Sequence, residues 1–211
     1  MKIFFGLKLM LIGAIFSSNA LAAQGNAEAG QAQYASCVLC HGQNGEGKPS
    51  AGGPALTGQS EEYLARQIGH FKRGIRGADA TDIFGGQMRA MSSTLSSDQA
   101  VADVSAYIAA MDVTGPIEKT QGDTAKGAYI YQGSCASCHG GKGEGKPPLN
   151  APRLAGLDGT YLIRQFVNFK SGLRGSHAED IYGRQMKEMA KAIRTDDGIN
   201  NLAAYITSLH Q

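Results

Sequence analysis

The sequence predicts an all-α protein built from two tandem copies of one small domain. Three observations carry this prediction. Shifted by 98 positions, residues 37–108 fall on residues 135–206 with 32 of 72 positions identical and no gap, a self-match that marks a duplication. Apolar residues recur at helical spacing in each half, and no segment alternates as a half-buried strand would. Each half also carries one Cys-x-x-Cys-His run, CVLCHG at 37–42 and CASCHG at 135–140, and these use all four cysteines of the 211-residue chain.

The chain begins with a segment to be set apart from the fold. Lys2 and Lys8 flank an apolar start, Leu9 to Phe16 form a short apolar run, and Ala20-Leu21-Ala22 follows. This is the pattern of a secretory signal peptide over residues 1–22, cut after Ala22. The apolar run is far shorter than the roughly 20 residues a spanning helix needs, so the mature chain is expected to be exported without a transmembrane segment. Losing Lys2 and Lys8 leaves 18 basic and 18 acidic side chains, a formal charge of zero. Neither a basic excess nor an Arg-rich run argues for nucleic acid.

Within each half the elements follow in order. Asn26 and Asp123 are placed to cap a first helix running into each cysteine motif. A Gly- and Pro-rich loop comes next, HGQNGEGKPSAGGPALTG in the first copy. A middle helix carries Leu64, Ile68 and Phe71 and stops at Gly74; its partner carries Leu162, Phe166 and Phe169 and stops at Gly172. Ser96 and Gln99 form a capping-box pattern ahead of Val101, Val104, Ile108 and Met111. Thr195 precedes Ile199, Leu202, Ile206 and Leu209 in the same way. Gly115-Pro116 punctuates DVTGPIEKTQG. The expected units are therefore an N-terminal domain at 23–113, a linker at 114–122 and a C-terminal domain at 123–211. Three or four short helices enclose little core in a domain this small, so a further group is expected inside each half.

The cysteines identify that group. A zinc site needs four ligands in one tetrahedron, yet 94 residues separate Cys40 from Cys135, and a duplicated fold asks each copy to be complete. A thioredoxin-like dithiol belongs beside a strand, and none is expected here. Two thiols at i and i+3 on a helical turn suit thioether bonds to the two vinyl groups of a haem, with the next histidine under the iron. Cys-x-x-Cys-His is the signature of that attachment. The expectation is two covalent haem c groups, held by Cys37 and Cys40 and by Cys135 and Cys138, with His41 and His139 as axial ligands. His70, His177 and His210 have no histidine at the matched position of the other copy and read as packing or surface residues. Methionines do match: QMRAM and QMKEM place Met88 with Met186 and Met91 with Met189. His/Met ligation raises a haem potential, but the repeat does not choose between the two pairs.

Taken together, AEAGQAQYASCVLCHG, the following P-x-L-x-G, the central Y-L-x-R-Q and the capped last helix with A-Y-I resemble the dihaem cytochrome c4 family of tandem class I c-type cytochromes. The likeness spans the whole mature chain. It implies a methionine ligand seven residues before the apolar residue preceding the last helix cap, which gives Met88 from Leu95 and Met186 from Ile193. Met91 and Met189 then pack near the haem edge. It also implies that the carbonyls of Pro54 and Pro152 accept a hydrogen bond from the ligand histidines, and that two globules meet with their haem propionates close together. Arg76 and Arg174, in matched G-x-R-G segments, are suited to those propionates, solvated loop arginines being the alternative. The two halves differ ahead of the motif: Gly30 to Cys37 is one residue shorter than Gly127 to Cys135.

No triad or carboxylate pair recurs in a pattern that suggests catalysis. The expected function is a periplasmic, non-enzymatic carrier of single electrons in a respiratory chain. Its expected partners are an upstream reductase or dehydrogenase and a terminal oxidase, with peripheral membrane association allowed. The alternative is a haem subunit of a larger oxidoreductase, or a small haem enzyme with an open iron position.

Overall fold

Asn26 accepts hydrogen bonds from the amides of Glu28 and Ala29, and Asp123 does the same for Ala125 and Lys126, so each half opens on a side-chain-capped helix as expected. The computed structural model describes residues 24–113 and 120–209. The leader, Gly115-Pro116 and His210 lie outside the described residues. In the first half the helices are α1 (Ala27–Tyr34), α2 (Val38–His41), α3 (Glu61–Lys72), α4 (Ile83–Ser92) and α5 (Asp98–Ala109). In the second they are α6 (Thr124–Ser134), α7 (Ala136–His139), α8 (Gly159–Ser171), α9 (Ile181–Lys191) and α10 (Asp196–Ser208). A short 3-10 turn, Pro49–Ala51 and Pro147–Leu149, sits in each Gly-rich loop, and the described residues contain no named strand.

In each half the first and last helices cross and the middle helix packs against the last. The crossing depends on glycine. A Cβ on Gly30 would meet the Asp103 carbonyl, and one on Gly127 would meet the Asn201 carbonyl, both at 2.0 Å, so only a bare backbone fits. Each half has its own core. Tyr34, Leu64, Val101, Val104 and Ile108 form one, and Tyr131, Leu162, Phe166, Leu202 and Ile206 the other. Full burial of a side chain such as Leu202 stabilises by about 1.5–3 kcal/mol.

Three features refine the sequence reading. The cap of α5 is Ser97, whose hydroxyl accepts from the Ala100 amide, rather than Ser96. In SSD the second serine starts the helix because it takes the extended backbone a cap needs. The methionines lie on two further helices, α4 and α9. Glycines dilute the helical signal there, Gly85-Gly86 in one copy and Gly183 in the other. Asp82 and Asp180 start these helices by accepting from the amides of Gly85 and Gly183. The spacing difference is absorbed after the first helix. Tyr34 and Tyr131 both stand four residues beyond their close-packed glycine. The Cys37 amide then reaches back three residues to Tyr34, whereas the Cys135 amide reaches back four to Tyr131. One half enters its motif through a tighter turn.

Candidate haem sites and the interface between them

The Cys-x-x-Cys-His runs form single helical turns. The His41 amide bonds to the Cys37 carbonyl at 2.9 Å, and the His139 amide to the Cys135 carbonyl at the same distance. Two thiols three residues apart thus share one face of a turn with the histidine beside them. No disulfide joins the four cysteines, and burial raises the unmodified Cys37 thiol above its ordinary range and the unmodified Cys135 thiol to about 11. Tyrosines fasten these turns to the scaffold. The Tyr34 hydroxyl donates to the Gly42 carbonyl at 2.7 Å, and the Tyr131 hydroxyl to the Gly140 carbonyl at 2.6 Å. The 98-residue register does not align these two tyrosines, which is why the sequence reading passed over them.

His41 and His139 are both buried. Nδ1 of His41 lies 2.8 Å from the Pro54 carbonyl oxygen, and Nδ1 of His139 lies 2.9 Å from that of Pro152. A carbonyl oxygen only accepts, so Nδ1 carries the hydrogen and Nε2 keeps a free lone pair. Burial lowers both imidazole pKa values, which keeps that lone pair available at neutral pH. Across from it, the Met88 sulfur stands 3.5 Å from Nε2 of His41. Met186 lines a cavity of about 1120 Å³ together with Cys135, Cys138, His139, Pro152 and Phe166. Met189 lines the same cavity, but Met91 and Met189 are 40 % and 42 % exposed.

The arginines are not solvated loop residues. Arg76 and Arg174 are buried where the halves meet. Arg76 donates to Gln67 Oε1 and, across the boundary, to Gln165 Oε1, both at 2.8 Å. Arg174 answers with Gln165 at 2.7 Å and Gln67 at 3.0 Å. A second matched pair lies outside this ring: Arg66 reaches the Asn150 carbonyl and Arg164 the Gly52 carbonyl. Four guanidinium groups gather here, and among the described residues none of them forms a salt bridge to a carboxylate. The buried Nε atoms of Arg66, Arg164 and Arg174 have no partner. Tyr161 records the resulting field. Burial alone would raise its pKa, but Arg76, Arg174 and Arg164 together lower it. Buried guanidinium groups that no carboxylate pairs directly fit a ligand that brings carboxylates.

Paired thiols, an oriented imidazole and buried guanidinium groups, repeated in two helical domains, define a c-type cytochrome with two haems. The cytochrome c family model matches residues 27–112 and again 124–210. Cytochrome c4 of Azotobacter vinelandii is 32 % identical over 197 residues, covering 89 % of this chain and 91 % of that protein. The thiosulfate dehydrogenase electron acceptor of Thiomonas intermedia is 31 % identical, covering 80 % of this chain and 76 % of its own length. The crystal structure of reduced cytochrome c4 from Pseudomonas stutzeri matches with a TM-score of 0.71 at 29 % identity, over 88 % of this chain and 100 % of that one. This chain belongs to the dihaem cytochrome c4 family and carries two covalent haem c groups, at the motifs of Cys37, Cys40 and His41 and of Cys135, Cys138 and His139.

Proposed function

We propose that the mature chain is a periplasmic electron carrier whose haem irons are ligated by His41 and Met88 in one half and by His139 and Met186 in the other. When bound, each haem supplies a one-electron ferric/ferrous couple. The observation that carries the ligand assignment is the Met88 sulfur 3.5 Å from Nε2 of His41, while Met91, one helical turn on, is turned to the surface. Met186 stands at the position matched to Met88 and is less exposed than Met189, which lines the same His139 cavity, and this supports the same role. A carrier needs its ligands to stay in place through each electron cycle. Pro54 and Pro152 hold the imidazole rings by their Nδ1 hydrogens, and capped helices hold the methionines. Arg76 and Arg174 hold haem propionates between the halves, so that electrons cross from one haem to the other inside the molecule.

Thioether ligation raises the potential into a range suited to respiration. The proposed direction is from an upstream reductase or dehydrogenase to a terminal oxidase. The likeness to an electron acceptor of thiosulfate dehydrogenase supports a dehydrogenase as donor. No helix of the described residues is long and apolar enough to cross a membrane, which accords with a carrier that docks from the aqueous side. Domain limits at 23–113 and 123–211 accord with the two family-model segments.

Intact-mass measurement of the exported protein tests this reading. The mass should correspond to residues 23–211 plus two haems. A single haem addition, or a chain retaining residues 1–22, would contradict it.

A further inference from the structure

The interface between the halves is matched residue for residue around the arginine–glutamine ring, and one nearby pair breaks the match. His70, in the last turn of α3, is 4 % exposed, and its Nδ1 lies 3.7 Å from Oδ1 of Asp180 in the other half. That nitrogen has no hydrogen-bond partner. Asp180 is equally buried, starts the helix that carries Met186 and lines the cavity of His139. At the matched positions stand Asn168 and Asp82, both buried. The acid is repeated, but the group at the histidine's position in the second copy does not titrate near neutral pH. Nothing in the carrier scaffold itself calls for this difference.

The charged groups facing His70 are Asp180 and Arg174 from the second half and Arg66 and Arg73 from its own helix. Burial lowers its pKa most, Asp180 raises it, and the three arginines lower it. A proton on Nδ1 would give the buried Asp180 carboxylate a cationic neighbour and satisfy an unpartnered nitrogen. Carboxylates brought by the haem would offset the arginines and leave Asp180 the stronger influence.

We infer that His70 is a proton-binding site coupled to the second-half haem, so that reduction there is accompanied by proton uptake. The inference rests on the proposed ligation by His139 and Met186. The step balances simply: the ferric haem takes one electron from the donor protein, His70 takes one proton from water, and the local charge is unchanged. Coupling of this kind is reciprocal. Reduction removes a positive charge and so raises the His70 pKa; a bound proton in turn raises the haem potential. The potential is therefore highest at low pH and falls as pH rises through the pKa of His70, then levels. The slope limit is tenfold in the equilibrium constant per pH unit, about 59 mV for one electron.

Spectroelectrochemical titration of the haem-loaded protein between about pH 5 and pH 8 tests this, in the range where histidine titrates. Two one-electron steps are expected. One should fall with pH at a measurable fraction of the limiting slope and the other should stay flat. His70→Asn, which installs the second copy's own residue, should flatten both. Asp180→Asn keeps an oxygen to cap α9 but removes the charge, and should move the sloping window to lower pH. A slope that persists unchanged in His70→Asn, or two flat potentials in the unaltered protein, would overturn the inference. If two reversible one-electron steps are missing at every pH, the carrier reading itself fails, which is a different result from two steps that ignore pH.

Discussion

The first and second halves of this protein share one scaffold, yet they differ in what surrounds the haem. Both orient a histidine on a proline carbonyl, fasten the Cys-x-x-Cys-His turn with a tyrosine and place a methionine on a capped helix. What differs is electrostatic. Residues 23–114 carry six basic and nine acidic side chains, a net of −3, whereas residues 120–211 carry eleven and eight, a net of +3. His70 has Asn168 as its counterpart. Duplication supplies two sites of matched construction, and these unmatched charges are what distinguishes their surroundings.

The largest expected effect tests the part of the interface that is symmetric. Gln67 and Gln165 each accept from both buried arginines. Gln67→Leu removes two charge-assisted hydrogen bonds, a loss of about 3 kcal/mol or more. Gln165→Leu should cost the same within error. Thermal unfolding of the haem-loaded variants measures both, and a clear inequality would show that the ring is symmetric in geometry but not in energy.

The next effect sharpens the asymmetric part. An acidic environment favours the ferric state, so the first-half haem should have the lower potential. Six charges of difference at about 10 Å, screened by physiological salt, separate the two by roughly 30–100 mV. The basic second half should then dock on an acidic partner, with an association rate that falls as salt rises. A redox titration of the unaltered protein, with the haems distinguished through single-methionine variants, gives the order. A first-half haem that proves the stronger oxidant would refute the charge argument.

The smallest effect concerns the fold alone. Ser97→Ala removes the cap of α5 and should lower stability by about 1 kcal/mol, or about 4–8 °C in the melting of a domain this size. Ser96→Ala, one residue earlier, should leave melting unchanged.

Much of this was readable from sequence because the signals are local. A thiol pair with a histidine, a helix cap and a repeated glycine each depend on a few consecutive residues. The haem chemistry, the first, middle and last helices and the duplication were legible on that basis, and the family pattern points to Met88 and Met186 as the proposed ligands. The methionine helices were not, since glycines weaken helix propensity there and their apolar residues, Ile83, Met91, Ile181 and Met189 among them, stay exposed rather than entering the core. Nor was the fate of Arg76 and Arg174. Burial of a guanidinium depends on two halves meeting face to face, and Gln67 lies 98 residues from the Gln165 with which it shares both arginines. The contact between His70 and Asp180 spans a still larger separation and has no repeated counterpart that could have flagged it.

The central claim is that both halves are built as the same His/Met site, and absorption of the oxidised protein tests it most directly. Thioether-to-iron ligation gives a weak long-wavelength band in this family. Met88→Ala should remove one haem's share of that band and Met186→Ala the other's, while Met91→Ala and Met189→Ala leave it intact. Loss of the band in Met91→Ala or Met189→Ala, with Met88→Ala or Met186→Ala unaffected, would contradict the account.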